Sequence, residues 1–178
     1  NVIVNEPAPI TPNFTINPVS CYGLNDGSAS VSPTGGTPHL VGDPYDYLWS
    51  ITNSTTNFSS PYQASGTPTN YSVVITDANN CEQTFPVDIP EPAELQLTMT
   101  QNPASCFGVN DGSAGVVVSG GTTPYSYVWS NGSITTSINN ISGNSTYNVL
   151  VTDANNCQEN SSIFVNEPSE VVANYSVT

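Results

Sequence analysis

The chain has 178 residues with 14 Asp plus Glu, one His and no Lys or Arg, giving a formal charge of −14. An average chain of this size holds roughly 20 basic side chains; without them nucleic acid and anionic membrane surfaces are excluded as partners, since both are held through Lys and Arg. A Schiff-base lysine, a P-loop lysine, a lysine–asparagine crosslink and an arginine clamp on carboxylate or phosphate are excluded too.

The hydrophobic fraction of 37% falls in alternating runs, so the chain is expected to fold. No run approaches the ~18 apolar residues of a membrane helix, and the N-terminus lacks the basic-then-apolar build of a signal peptide. A mature, soluble piece without direct membrane insertion is expected. Fifteen Pro, 13 Gly, 22 Asn and 43 Ser plus Thr describe short strands joined by many turns, with little support for helix.

In chain order, Asn5-Glu6-Pro7 comes first, followed by Cys21 to Ala29, which reads Cys-Tyr-Gly-Leu-Asn-Asp-Gly-Ser-Ala. Cys106 to Ala114 repeats it as Cys-Phe-Gly-Val-Asn-Asp-Gly-Ser-Ala, and Gly35-Gly36-Thr37 returns as Gly120-Gly121-Thr122. The trio Tyr45, Tyr47, Trp49 returns as Tyr125, Tyr127, Trp129, so the first copy carries an insertion around His39 to Asp43. Tyr71 to Cys81, ending Thr-Asp-Ala-Asn-Asn-Cys, returns as Tyr147 to Cys157, which places a second insertion in the Ser/Thr/Asn-rich stretch 52–69. Pro90-Glu91-Pro92 stands between the copies and Asn166-Glu167-Pro168 follows the second. Such self-similarity marks a repeat architecture. The expected organisation is the tail of a preceding repeat at 1–7, one repeat at 8–92, another at 93–168 and the start of a following repeat at 169–178, two units of a longer tandem array.

In the second unit, Leu95/Leu97/Met99, Ala114/Val116/Val118, Tyr125/Tyr127/Trp129, Tyr147/Val149/Val151 and Ile163/Val165 alternate with period two, the pattern of strands with one buried face. Asn110-Asp111-Gly112, Gly120-Gly121, Asn131-Gly132, Ser142-Gly143-Asn144 and Asp153 to Asn156 supply turns between them. Six or seven short strands in about 80 residues predict an all-β fold of tandem immunoglobulin-like antiparallel β-sandwich domains. Tyr45, Tyr47, Trp49, Tyr125, Tyr127 and Trp129 are expected to be core rather than a ligand platform.

Cys21, Cys81, Cys106 and Cys157 have no zinc-type spacing and suggest disulfides in an oxidising compartment. One pair per repeat, Cys21 with Cys81 and Cys106 with Cys157, is the simplest of three pairings and would stabilise each unit by at most roughly 4 kcal/mol. Immunoglobulin connectivity puts the loop before the second strand and the loop after the sixth at opposite ends of a sandwich. Pairing between neighbouring units is the alternative.

The order Cys-x-Gly-x-Asn-Asp-Gly-Ser, Gly-Gly-Thr, Pro-Tyr-x-Tyr-x-Trp-Ser, Tyr-x-Val-x-Val-Thr-Asp-Ala-Asn-Asn-Cys, Glu-Pro resembles the SprB repeat, named from a gliding-motility adhesin of the Bacteroidetes. Both units match it, with Asn80 and Asn156 standing where Gly is commoner. The resemblance implies an immunoglobulin-like fold and a long, secreted or surface-attached protein of adhesion and gliding, often type IX secretion cargo. It implies no catalytic residue.

The only His, His39, lies in an insertion the second unit lacks, so no Ser/His/Asp or Cys/His centre can recur. An enzyme is not expected, nor any cofactor. Calcium is the weak metal candidate, with Asp26, Asp77, Asp111 and Asp153 as oxygen donors, although each sits where an Asp caps its own turn. Nine Asn-x-Ser/Thr sites at Asn13, Asn53, Asn57, Asn70, Asn131, Asn140, Asn144, Asn160 and Asn174 are glycosylation candidates. The expected function is that of structural spacer units in an extracellular or cell-surface stalk or filament, with neighbouring copies as partners. The alternative is an adhesive module that binds polysaccharide or a surface through the His39 loop, Phe58 and Tyr62 of the first repeat.

Overall fold

A computed structural model of the chain describes residues 6–50, 53–59 and 71–174. They fall into two compact units divided between Pro92 and Ala93. The first holds β1 (Phe14–Asn17), β2 (Ser28–Val31), β3 (Asp46–Trp49), β4 (Phe58–Ser59), β5 (Ser72–Thr76) and β6 (Glu82–Pro86). The second repeats the series as β7 (Gln96–Asn102), β8 (Gly112–Ser119), β9 (Ser126–Trp129), β10 (Ser137–Ile141), β11 (Ser145–Thr152) and β12 (Gln158–Val165). There is no helix among the described residues.

Among the described residues each unit forms two three-stranded antiparallel sheets, β1-β2-β4 with β3-β5-β6, and β7-β8-β10 with β9-β11-β12. The all-β antiparallel architecture is the one the alternating pattern predicts. First, second and fourth strands on one side and third, fifth and sixth on the other is also the order of the A, B, E and C, F, G strands in immunoglobulin-type domains. The register Tyr47↔Ile75 and Trp49↔Val73 puts four large side chains on one face. They close against Ala29 and Val31 of the facing sheet.

Period two decides which residues are buried, since successive side chains leave opposite faces. In β3 Tyr47 and Trp49 are buried while Asp46 and Leu48 face out. Trp49 and Trp129 are enclosed in their cores and Tyr45 is buried, with Tyr125 and Tyr127 packed at the edge of the second core. A buried indole N–H must find an acceptor. Trp49 Nε1 donates to Thr56 O at 2.9 Å and Trp129 Nε1 to Thr135 O at 2.8 Å, so each tryptophan ties the third strand to the segment before the fourth.

β10 has no period-two signal. Its register shifts between Asn139 and Ile141, with Asn140 at φ 54°. This bulge brings Ile138 and Ile141, three apart, into the same core.

Candidate functional site

The repeated motifs converge on the two ends of each unit. At the leading pole, where the chain enters, the buried Asp77 carboxylate accepts the N–H groups of Thr37, Asn79 and Cys81, each at 2.9 Å. Ala78 N–H returns to Thr37 O, and Gly36 N–H donates to Ala8 O at 2.7 Å, which ties the incoming segment to the same knot. Tyr45 Oη donates to Gly35 O at 2.7 Å. The second unit reproduces this: Asp153 accepts Thr122, Asn155 and Cys157 N–H, Gly121 N–H donates to Ala93 O, and Tyr125 Oη donates to Gly120 O. Gly35 and Gly120 are required here, because a Cβ would lie 2.0 Å from Pro9 O and 1.8 Å from Glu94 O respectively. Backbone amides lower Asp77 from the usual carboxylate value, Cys81 N–H contributing most and Thr37 N–H next.

At the trailing pole, where the chain leaves, Val19 N–H donates to Pro90 O at 2.9 Å and Ala104 N–H to Asn166 O at 2.9 Å. The following loop turns sharply, with Leu24 N–H on Cys21 O and Val109 N–H on Cys106 O. Asp26 accepts both Ser20 N–H and Ser20 Oγ, and Asp111 accepts Ser105 N–H. The Ser20 and Ser105 hydroxyls and amides lower these two carboxyls. Glu91 and Glu167 reach back to Gly23 N–H and Gly108 N–H of their own loops. Tyr22, Leu24, Phe107 and Val109 stand exposed on these loops.

A family model described as the SprB repeat matches residues 13–55 and 98–134, that is, the first to third strands of each unit with the loops between them. Each unit therefore contains a stretch similar to the SprB repeat. The SprB repeat is a structural repeat of surface and gliding-motility proteins, not an enzyme family. No curated protein matches the chain.

Within each unit the two cysteines occupy opposite poles. The Cys21 loop lies against Pro90 and Glu91, whereas Cys81 closes the turn before β6, and Glu82 to Pro90 in extended form spans roughly 26 Å. Gln158 to Asn166 separates Cys157 from the Cys106 loop in the same way. A disulfide needs Cα atoms within about 7 Å. The expected pairs Cys21–Cys81 and Cys106–Cys157 are therefore not formed: Cys81 and Cys106 are exposed free thiols, while Cys21 and Cys157 are disulfide-bonded.

Within each unit the two aspartates considered for calcium lie at opposite poles, each occupied by amides or a hydroxyl of its own pole. Among the described residues no three His, Cys, Asp or Glu gather as for a metal ion. His39 Nε2 lies 3.4 Å from Asp46 Oδ2, and the loop beyond it exposes Leu40 and Val41 fully. The side chain of Phe58, and Tyr62 altogether, lie outside the described residues. Asn13, Asn53, Asn57, Asn131, Asn140, Asn144, Asn160 and Asn174 are all exposed, and Asn70 lies outside the described residues. Glu91 and Glu167 were legible only as recurring Glu-Pro junctions; that recurrence was the signal of their role.

Proposed function

We propose that the two units are SprB repeats and serve as structural spacer units of a long extracellular protein, part of a cell-surface adhesin stalk or filament. The observation that carries this reading is the threading of each unit: the chain enters at one pole and leaves at the other, and both ends are hydrogen-bonded into their own repeat. Tension applied through the chain then loads the strand ladders before it reaches the core. The family supports a surface setting, and no helix of the described residues is long and apolar enough to cross a membrane. The exposed sequons are consistent with a glycosylated surface.

Pulling the 178-residue chain by its termini tests it. With the disulfide reduced, two separate unfolding events are expected, each releasing roughly 25 nm of chain; extension at negligible force overturns the load-bearing role. The exposed Leu40–Val41 pair supports a second reading, adhesion of the first unit's loop to a polysaccharide or surface. Binding on a glycan array that L40S/V41S abolishes would favour it over the spacer role.

A further inference from the structure

The poles sort the four cysteines into two kinds. Cys21 and Cys106 sit on the trailing loop, whereas Cys81 and Cys157 close the leading-pole turn, with their N–H groups on Asp77 and Asp153. Neither kind can reach the other within its own unit. One cysteine of each kind, Cys21 and Cys157, is disulfide-bonded in this structure, which shows that both positions support the bond. One of each kind, Cys106 and Cys81, is an exposed free thiol. Around Cys106 the trailing pole of the second unit has a shallow cleft lined by Phe107, Pro168 and Val171, and Phe107 and Val171 are solvent-exposed.

We propose that a trailing-loop cysteine pairs with a leading-turn cysteine of a different copy, so that Cys106 of one chain bonds Cys81 of a second. The partner is thus a second copy of this chain, and the product is a covalent head-to-tail polymer. This rests on the extracellular spacer reading for its biological setting but not for its chemistry. With oxidised glutathione as the oxidant, the Cys106 thiolate attacks the glutathione disulfide and releases one glutathione thiolate. The Cys81 thiolate of the second copy then attacks the Cys106 sulfur, forming the interchain S–S bond and releasing the second. The two thiol protons go to the two glutathiones, and the two electrons reduce the glutathione disulfide.

The purified chain is incubated with oxidised glutathione and resolved without reductant. A ladder of dimers, trimers and longer species is expected, collapsing to monomer with dithiothreitol. C81S alone and C106S alone are expected to stay monomeric, while their equimolar mixture gives dimer and nothing longer. Digestion with a protease that cuts before Asp, which puts the four cysteines on four separate peptides, is expected to yield one new linked peptide pair, Cys106 with Cys81. Dimers from either single variant by itself overturn the pairing rule. Wild-type chain that stays monomeric although both thiols label with maleimide overturns the proposal, whatever the cellular location; circular dichroism confirms that the serine variants fold.

Discussion

Glu91 accepts the backbone N–H of Gly23, 68 residues earlier in the chain. Glu167 makes the same contact to Gly108 in the second unit. The recurring Glu-Pro sequence is therefore the last piece of a repeat rather than a linker, and it fixes the loop that carries Cys21 or Cys106. A carboxylate bond to an exposed amide contributes at most about 1 kcal/mol. Glu91→Ala is expected to lower the melting temperature of the first unit by at most roughly 4–8 °C, and Glu167→Ala that of the second, read by calorimetry. Unchanged transitions would show that water replaces the glutamate without loss.

What the sequence made legible was whatever is local. Alternation located five strands of the second unit, and the Asn- and Gly-rich turns fell between them. β10 was hidden because the bulge at Asn140 sets Ile138 and Ile141 three apart, a spacing that matches neither strand nor helix. The poles were hidden because their bonds are long-range. Thr37 and Asp77 are 40 residues apart, and nothing in Gly-Gly-Thr or in Asp-Ala-Asn-Asn-Cys by itself says that the two meet. The cysteine pairing was different: the connectivity already set the two loops at opposite ends, and the simpler count of one pair per repeat was preferred over it. The length of β6 and β12 keeps the two thiols apart.

Gly120 has φ 70°, and a Cβ there would lie 1.8 Å from Glu94 O. Gly120→Ala must displace backbone as well as adopt a disfavoured φ, at a cost expected to exceed about 3 kcal/mol. Gly132, at φ 86° with nothing within 4 Å of its Cβ position, carries only the conformational cost, about 1 kcal/mol. Denaturant unfolding of the two variants is expected to separate them by at least 2 kcal/mol, by the difference of those two costs. Equal destabilisation would mean that the Gly120 loop is not held against Glu94.

Asp77 is lowered from the ordinary carboxylate value by the Cys81 and Thr37 amides, and Asp26 and Asp111 by Ser20 and Ser105. A carboxyl whose folded value is depressed adds stability that is fully present above its unfolded value, about 4. That stability is lost as pH falls through the lower folded value. Unfolding free energy is expected to be flat from pH 7 to 5 in these groups' contribution and to drop below pH 4. Asp77→Asn is expected to destabilise the first unit at pH 7 and to make its remaining acid dependence shallower. A slope below pH 4 as steep as the wild type's would remove Asp77 from this role.

The same carboxylate acts on its neighbour. Asp77 raises the Cys81 thiol by charge repulsion above all, so its thiolate forms at more alkaline pH than that of an ordinary cysteine. In C106S, where Cys81 is the remaining free thiol, iodoacetamide labelling is expected to rise with pH with a midpoint above about 8.5. A midpoint at or below that value would contradict the carboxylate's influence.

The chain's formal charge of −14 has no internal cation against it beyond a protonated His39. The four turn aspartates are already satisfied by amides and hydroxyls, and exposed acids such as Glu82, Asp88, Glu94 and Glu159 stand singly on the surface. Their mutual repulsion acts through solvent, so it is removed by screening rather than by coordination. Raising the ionic strength from about 0.01 to 0.15 M shortens the screening length from roughly 30 to 8 Å. The melting temperature is therefore expected to rise with NaCl and then level off, and CaCl₂ at matched ionic strength is expected to give the same curve. A further shift with calcium, saturating at low millimolar concentration and reversed by chelator, would show that some of these carboxylates converge on an ion, and would overturn the screening account.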